Sequence, residues 1–187
     1  MRPLVLAAAI LLASPAPSLA RDPPPNLTHL HDFDFLMGDW VAHHRRLKAR
    51  LAGSREWITY GGTVTQRPVM GGWGNSGDNI FDMPTGVVKG VSLRAYDQKT
   101  GEWLVWWLDG RDPTGGLGPP IRGRFENGVG VFISDDTFEG RPIKVRVTWT
   151  RPTPTTARWE QAFSPDGGQT WEVNWITDFT RPGAKPQ

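Results

Sequence analysis

Short runs rich in Val, Ile, Thr, Trp and Phe recur along the chain, separated by Gly and Pro that are spread through it and not gathered into a linker. Runs of this composition bounded by turn residues read as β-strands. The pattern predicts ten, over residues 39–48, 56–67, 77–82 (the weakest), 88–97, 102–109, 121–126, 129–135, 142–151, 156–164 and 170–180. Asn127-Gly128 is the strongest two-residue hairpin signal, and Gln98-Lys99-Thr100-Gly101 is a short loop with its Gly late in the turn. No long stretch has a helical period. The best candidate is Asn26 to Met37, where Leu27, Leu30, His31 and Asp34 are spaced for one or two turns of helix or 3-10 helix.

Ten strands joined by short antiparallel turns predict a meander, and a meander of this length closes to remove its exposed edges. The expected fold is therefore all-β: a single antiparallel up-and-down barrel of about ten strands. Phe33 to Trp40, which packs apolar residues, breaks at Gly38 and ends on a Trp entering the first strand, would form its floor. The last three strands alternate clearly. Val145, Val147 and Trp149 share a face, as do Trp159, Gln161 and Phe163, and as do Trp171, Val173, Trp175 and Phe179. Patterning points these aromatic faces inward. The opposite choice would place Arg146, Glu160, Glu172 and Asn174 inside as a polar cluster, which is tolerable only if every group is paired.

The ends of the chain change the picture of where the protein works. Arg2, the apolar run Leu4 to Ala13 and the small-x-small Ser18-Leu19-Ala20 have the form of a signal peptide cleaved near Ala20. The apolar run is shorter than the roughly 20 residues a bilayer span needs. The expected organisation is a signal peptide at 1–20, an N-terminal extension at 21–32, a barrel domain at 33–181 and a tail at 182–187, with a periplasmic or secreted location. The chain has no Cys, which excludes disulfides and thiolate chemistry. Residues 1–20 contain only Arg2 among charged residues, so the remainder carries 20 Lys+Arg against 19 Asp+Glu. That near balance, with no basic cluster beyond His43-His44-Arg45-Arg46, gives no footprint for nucleic acid. Ten Trp against two Tyr is the strongest compositional bias, and Trp can fill a core or wall a ligand cavity.

Gly38-Asp39-Trp40 has the Gly-x-Trp form that opens the first strand of lipocalins. Together with Tyr96-Asp97, Glu102-Trp103, the run Arg158 to Ser164 and Trp171-Glu172-Val173-Asn174-Trp175, it gives the chain an order of features that resembles the calycin superfamily. More narrowly, it resembles an exported bacterial family of unknown function with a lipocalin-like barrel. The resemblance implies a barrel, an apolar ligand, and a late Arg packed over the first-strand Trp, for which Arg181 and Arg151 compete. Nitrobindins, calycins that bind haem through a His, continue Gly-x-Trp-x-Gly-x-Gly; here Trp40 is followed by Val41-Ala42-His43.

Other motifs have local explanations. Ser164-Pro165-Asp166-Gly167-Gly168-Gln169-Thr170-Trp171 matches the Asp-box of sialidase-like propellers, but it occurs once and without a repeat, as a well-made hairpin turn. His43 and His44 face opposite ways on a strand and are no metal motif; His44 shares the face of Trp40. His29 and His31 stand near the N-terminus with no partner set. No Gly-x-Ser-x-Gly elbow is present. Asp109-Gly110-Arg111-Asp112-Pro113 reads as a turn at the end of a Trp-rich strand. Trp106 and Trp107 must face opposite sides, and an exposed outer Trp would mark a partner surface.

These observations support an extracytoplasmic binding module holding a small apolar or aromatic molecule, in a cavity of at least roughly 300 Å³. The candidate ligand-contacting residues are Trp40, His44, Trp107, Trp149, Trp159, Gln161 and Trp175. No catalytic set, metal site or cofactor site is expected, and no integral membrane domain or nucleic-acid partner. The two alternatives are a barrel enzyme (isomerase, cyclase or hydrolase) using Arg146, Glu160, Glu172 and Asn174, and a filled barrel acting as a structural or interaction protein.

Overall fold

The computed structural model describes residues 23–184, so the signal-peptide reading of residues 1–20 lies outside the described residues. Ten strands follow one another: β1 (Gly38–Leu47), β2 (Trp57–Val69), β3 (Gly74–Met83), β4 (Gly86–Asp97), β5 (Glu102–Asp109), β6 (Ile121–Glu126), β7 (Val129–Phe138), β8 (Arg141–Thr153), β9 (Thr156–Ser164) and β10 (Glu172–Thr180). Each pairs antiparallel with the next, and β10 returns to β1, giving the closed ten-strand barrel expected from the pattern. The strand expected at 77–82 is longer than its sequence suggests, because Gly74 and Asn75 pair with Ala95 and Arg94 of β4 despite their low strand propensity.

Alternation sets the faces. Val145, Val147 and Trp149 are buried, and their neighbours Lys144, Arg146 and Thr148 are more exposed. In β10 a bulge between Val173 and Trp175 breaks the phase. Trp175, Thr177 and Phe179 keep the inner face. Val173 is carried to the outer face opposite Ala162, and Glu172 comes to the inner face opposite Phe163. The expected grouping of Trp171 and Val173 with Trp175 is therefore wrong: period-2 counting cannot see the extra residue. That residue is Asn174, fully buried with its Oδ1 unpartnered.

One end of the barrel is sealed by the segment before β1, which forms turns and a 3-10 helix at Asp34–Leu36. Phe33 enters the lumen and meets Phe125, Trp103 and Trp149 edge-on at 5.0, 5.1 and 6.1 Å. Backbone carbonyls fix the segment in place. Trp40 Nε1 donates to Leu36 O at 2.7 Å, Trp103 Nε1 to His29 O at 2.7 Å, and the Tyr96 hydroxyl to Asn26 O at 2.9 Å. Arg181, just past β10, lies 3.7 Å from the Trp40 ring and donates to Phe35 O and Asp39 O. Its rival Arg151 sits over Phe35. Gly38 has φ +96°, and a Cβ there would press on Arg181 Nη1 at 3.1 Å. The Gly-x-Trp spelling thus lets the strand start beneath the arginine.

The other end is less complete. β6 is short, and only Trp103, Leu104 and Val105 of β5 pair with it. The upper half of β5 therefore has no neighbour on that side, where the loop 110–120 connects it to β6. Across the mouth, Leu51 N donates to Glu172 Oε1 at 2.7 Å, and the Arg50 guanidinium lies 4.5 Å from the Phe138 ring. The 48–56 connection is thereby drawn over the rim.

The Asp-box is a hairpin turn between β9 and β10. Asp166 accepts from the amides of Gln169 and Thr170, Ser164 Oγ accepts from Gly168 N, and Trp171 Nε1 donates to Gly168 O. The Thr170 hydroxyl and amide bonds hold the Asp166 carboxyl well below the usual carboxylate range. Asp166→Ala is expected to accelerate amide hydrogen exchange at Gln169 and Thr170 selectively, with protection in β1 to β4 unchanged.

The outer face carries paired charges, including Arg158 with Asp178 at 2.6 Å and Lys144 with Asp135 at 2.7 Å. Among the described residues, no helix is long and apolar enough to cross a membrane.

Candidate functional site: the upper lumen

Above the aromatic floor, the lumen changes character. His44 of β1 faces inward opposite Tyr60 and Thr177, is 2% exposed, and shares a 2.8 Å hydrogen bond between Nδ1 and Thr177 Oγ1. Its ring stacks on Tyr60 at 4.8 Å and leans on Phe81 at 4.9 Å. Burial, reinforced by the neighbouring His43, pushes its pKa down to about 4, so at neutral pH it is an uncharged imidazole. Burial raises the Tyr60 phenol to about 12, overriding the opposing pull of Arg46, Arg111 and Arg50, so it remains a proton donor. Phe81 meets Trp107 at 5.7 Å and Trp175 at 5.9 Å, and Trp159 meets Trp175 edge-on at 5.5 Å. The Arg46 guanidinium lies 5.3 Å from the Trp175 ring.

Two properties set this region apart from the core. First, it encloses polar atoms without partners, His44 Nε2, Gln161 Oε1 and Trp175 Nε1, and a Tyr60 hydroxyl with only Arg46 beside it. Buried polar atoms are normally satisfied, so several orphans among neighbouring rings set this region apart from an ordinary packed core. Second, solvent reaches in. Trp107 pairs with Ser92 on the inner face and lies across Gly90, where a Cβ would overlap its indole. It is nonetheless 39% exposed, because the unpaired upper half of β5 leaves a side opening. Trp159, Gln161 and Trp175 are also only partly buried although they face the lumen.

The depressions of the expected size lie elsewhere. One of about 330 Å³ is at the closed end, bordered by His29, Asp32, Phe35 and Arg151. Another of about 350 Å³ is on the outer face, bordered by Arg122, Arg124, Val131 and Ile133. Neither contains the unpartnered groups, which are themselves closed off from solvent; the cup is the part of the upper lumen where solvent reaches Trp107.

No family model matches the chain, and no curated protein matches it. Among solved structures it is similar to a fluorescence-activating β-barrel designed de novo. The likeness has 13% identity and a TM-score of 0.43, and covers 79% of this chain and 94% of that one.

The structure divides the candidate residues of the sequence into groups. His44, Trp107, Trp159, Gln161 and Trp175 are brought together in the cup. Trp40 and Trp149, 1% and 4% exposed, belong instead to the sealed floor, where Trp149 stacks on Phe179 at 5.5 Å. The alternative cluster of Arg146, Glu160, Glu172 and Asn174 does not assemble. Arg146 lies over Trp171, Glu160 is beside Arg158, Glu172 is bonded to Leu51 N at the rim, and Asn174 fills the bulge. The physical reason is that Arg146 and Glu160 alternate against the inward-facing Val145, Val147 and Gln161, while the bulge separates Glu172 from Asn174 in phase.

His43-His44-Arg45-Arg46 is not the solvated strand end its charge run suggests, since His44 and Arg46 point inward and only His43 and Arg45 point out. The outer Trp106 is half-buried, and the exposed member of the Trp106-Trp107 pair is the inner one. Asp109 is engaged by Arg111, which holds its carboxyl down to about 2. His29 and His31 pair with Asp32 and Asp34. Among the described residues no group of three or more His, Asp or Glu could hold a metal ion.

Sequence reasoning missed Tyr60, Phe81, Arg46 and Arg94. In β4 the apolar residues Val91, Leu93 and Ala95 alternate with Gly90, Ser92, Arg94 and Tyr96. Pattern alone points the first set inward, yet it is the second that is buried. The Gly and Ser in that set were the available signal: small residues leave room for Trp107.

Proposed function

We propose that the protein is an exported, lipocalin-like binding protein that holds a small aromatic or apolar molecule in the upper lumen. The observation that carries this reading is the gathering of aromatic rings around the buried, uncharged His44, with polar atoms lacking protein partners among them, beside the partly exposed Trp107. Aromatic rings supply apolar contact at low conformational cost, and a few polar groups orient a ligand. The closure built from Gly38, Trp40 and Arg181 supports the lipocalin-like comparison, and the pattern of residues 1–20 supports export. The enzyme reading is not favoured, since its acid/base groups Glu160 and Glu172 have structural partners.

The test is native mass spectrometry of the protein purified from its host's envelope fraction, where a co-purifying small molecule is expected. Titration with a panel of aromatic compounds should quench Trp fluorescence. Trp107→Ala and Trp175→Ala are each expected to weaken the tightest binding by roughly tenfold or more, as loss of a central aromatic contact does. If no molecule co-purifies and no compound quenches, the reading fails. A filled barrel with an interaction face then takes its place, for which the exposed outer row Val129, Val131 and Ile133 of β7 is the supporting feature.

A further inference from the structure

Arg94 is the one lumen residue that neither the floor nor the cup explains. It is 3% exposed, on the inner face of β4 opposite Asn75 and Val105. Its guanidinium lies 5.0 Å from the Phe33 ring and 5.4 Å from the Trp149 ring, on top of the aromatic floor. Nη1 donates to Gln66 Oε1 at 3.1 Å and to Asn75 Oδ1 at 2.9 Å, both neutral amides. Nε is buried with no partner.

A buried guanidinium normally faces a carboxylate, because an unpaired charge away from water is costly. Among the described residues, no acidic side chain pairs with Arg94. By register the charged groups on the inner face are Arg94, Arg46, Asp109 and Asp136, with Arg50 and Glu172 at the rim; Asp109 is engaged by Arg111 and Glu172 Oε1 by Leu51 N, and neither pairs with Arg94. The floor rings lie within cation–π distance of the guanidinium, and the two amides occupy Nη1. The Nε and Nη2 edge is left, and this is an edge that grips a carboxylate with two parallel hydrogen bonds.

We propose that Arg94 is the anion-binding end of the lumen, and that the ligand is a small monocarboxylate whose acid group meets the Nε and Nη2 edge while its apolar body rises against Trp107 and Phe81. The inference rests on the cup being a ligand site. Arg94 lies two residues deeper along β4 than Ser92, the partner of Trp107, a distance of roughly 7 Å along the strand. A body of one or two fused aromatic rings spans it. Burial lowers the Arg94 pKa only to about 10, which leaves it a cation at neutral pH.

The experiment compares naphthalene-2-carboxylate with its neutral amide, naphthalene-2-carboxamide, by isothermal titration calorimetry on the wild-type chain and on Arg94→Met and Arg94→Lys. The wild type is expected to prefer the carboxylate by roughly tenfold or more, the scale of a charge-assisted buried pair. Arg94→Met should lose that preference while still binding the amide, and Arg94→Lys should keep part of it. Equal binding of the two compounds by the wild type overturns the inference and leaves the binding-protein reading standing. A carboxylate preference that survives Arg94→Met overturns the assignment to Arg94. Binding of neither compound overturns the lumen site, and the inference with it. If Arg94→Met does not fold, the Arg94 Nε–H resonance of the wild type decides. A shift on adding the carboxylate but not the amide supports the proposal, and an unmoved resonance overturns it.

Discussion

Replacing Trp40 by Ala is expected to lower the stability of the barrel by about 3–5 kcal/mol, the range for removing a buried Trp or Phe from a packed core. The indole is 1% exposed, donates to Leu36 O at 2.7 Å, and packs on Phe179 and beneath Arg181. Its loss opens a cavity where the N-terminal segment, β1 and the residue after β10 meet. Urea unfolding followed by far-UV circular dichroism reads the effect as a lower midpoint at unchanged slope. Arg181→Ala is expected to cost less, about 1–2 kcal/mol, for one cation–π contact and two hydrogen bonds to carbonyls. Because the two side chains touch, their effects should not add: the double variant should be less destabilised than the sum by about 0.5–2 kcal/mol. Strict additivity would mean that Arg181 does not act through Trp40.

Acidification is expected to destabilise the protein through His44 at higher pH than through Asp97, Asp109 or Asp166. The folded state holds this imidazole at about 4 against an ordinary value of 6.5, because burial disfavours the charged form. Between those values the unfolded chain binds a proton that the native state refuses. Stability is therefore complete above pH 6.5, falls as the pH drops, and has lost about 3 kcal/mol once the pH is below 4. Asp97, Asp109 and Asp166, whose folded values are depressed, contribute stability that is present above 3.8 and is lost only at lower pH. The interval from 6.5 to 4 thus separates the histidine from these three carboxylates. Urea midpoints measured across it should slope in the wild type and flatten in His44→Phe, which keeps the ring against Tyr60. An unchanged slope in that variant would assign the acid sensitivity to other groups. In the folded state His44 takes up its proton only near pH 4, which places a charge in the cup, so occupancy by a bound aromatic compound should change around that pH and stay constant above it.

The register of β1 explains why the cup was only partly legible. His44 could be placed on the face of Trp40 by counting, and that placement holds. The same counting puts Arg46 on that face too, but a run of four basic or titratable residues resembles a solvated end, and that resemblance hid it. β4 misleads more strongly: Val91, Leu93 and Ala95 look like the core face, yet they lie on the outside while Arg94 is buried with Gln66 and Asn75. The polar partners come from three different strands, and no local window contains them.

The late arginine over Trp40 came only with the lipocalin resemblance; the sequence by itself determined the number of strands, their meander order and the short turn of helix or 3-10 helix before β1. These follow from period-2 alternation, turn chemistry and the conformational demands of Gly, all of which are local. Only the tertiary structure decided that Trp40 and Trp149 seal the barrel while Trp107, Trp159 and Trp175 line an open cup. It also decided which arginine covers Trp40, and that the bulge at Asn174 carries Glu172 inward. Those outcomes depend on how far β6 extends, on one inserted residue in β10 and on side chains meeting across the lumen, and such contacts between strands distant in the chain leave no periodic trace in the sequence.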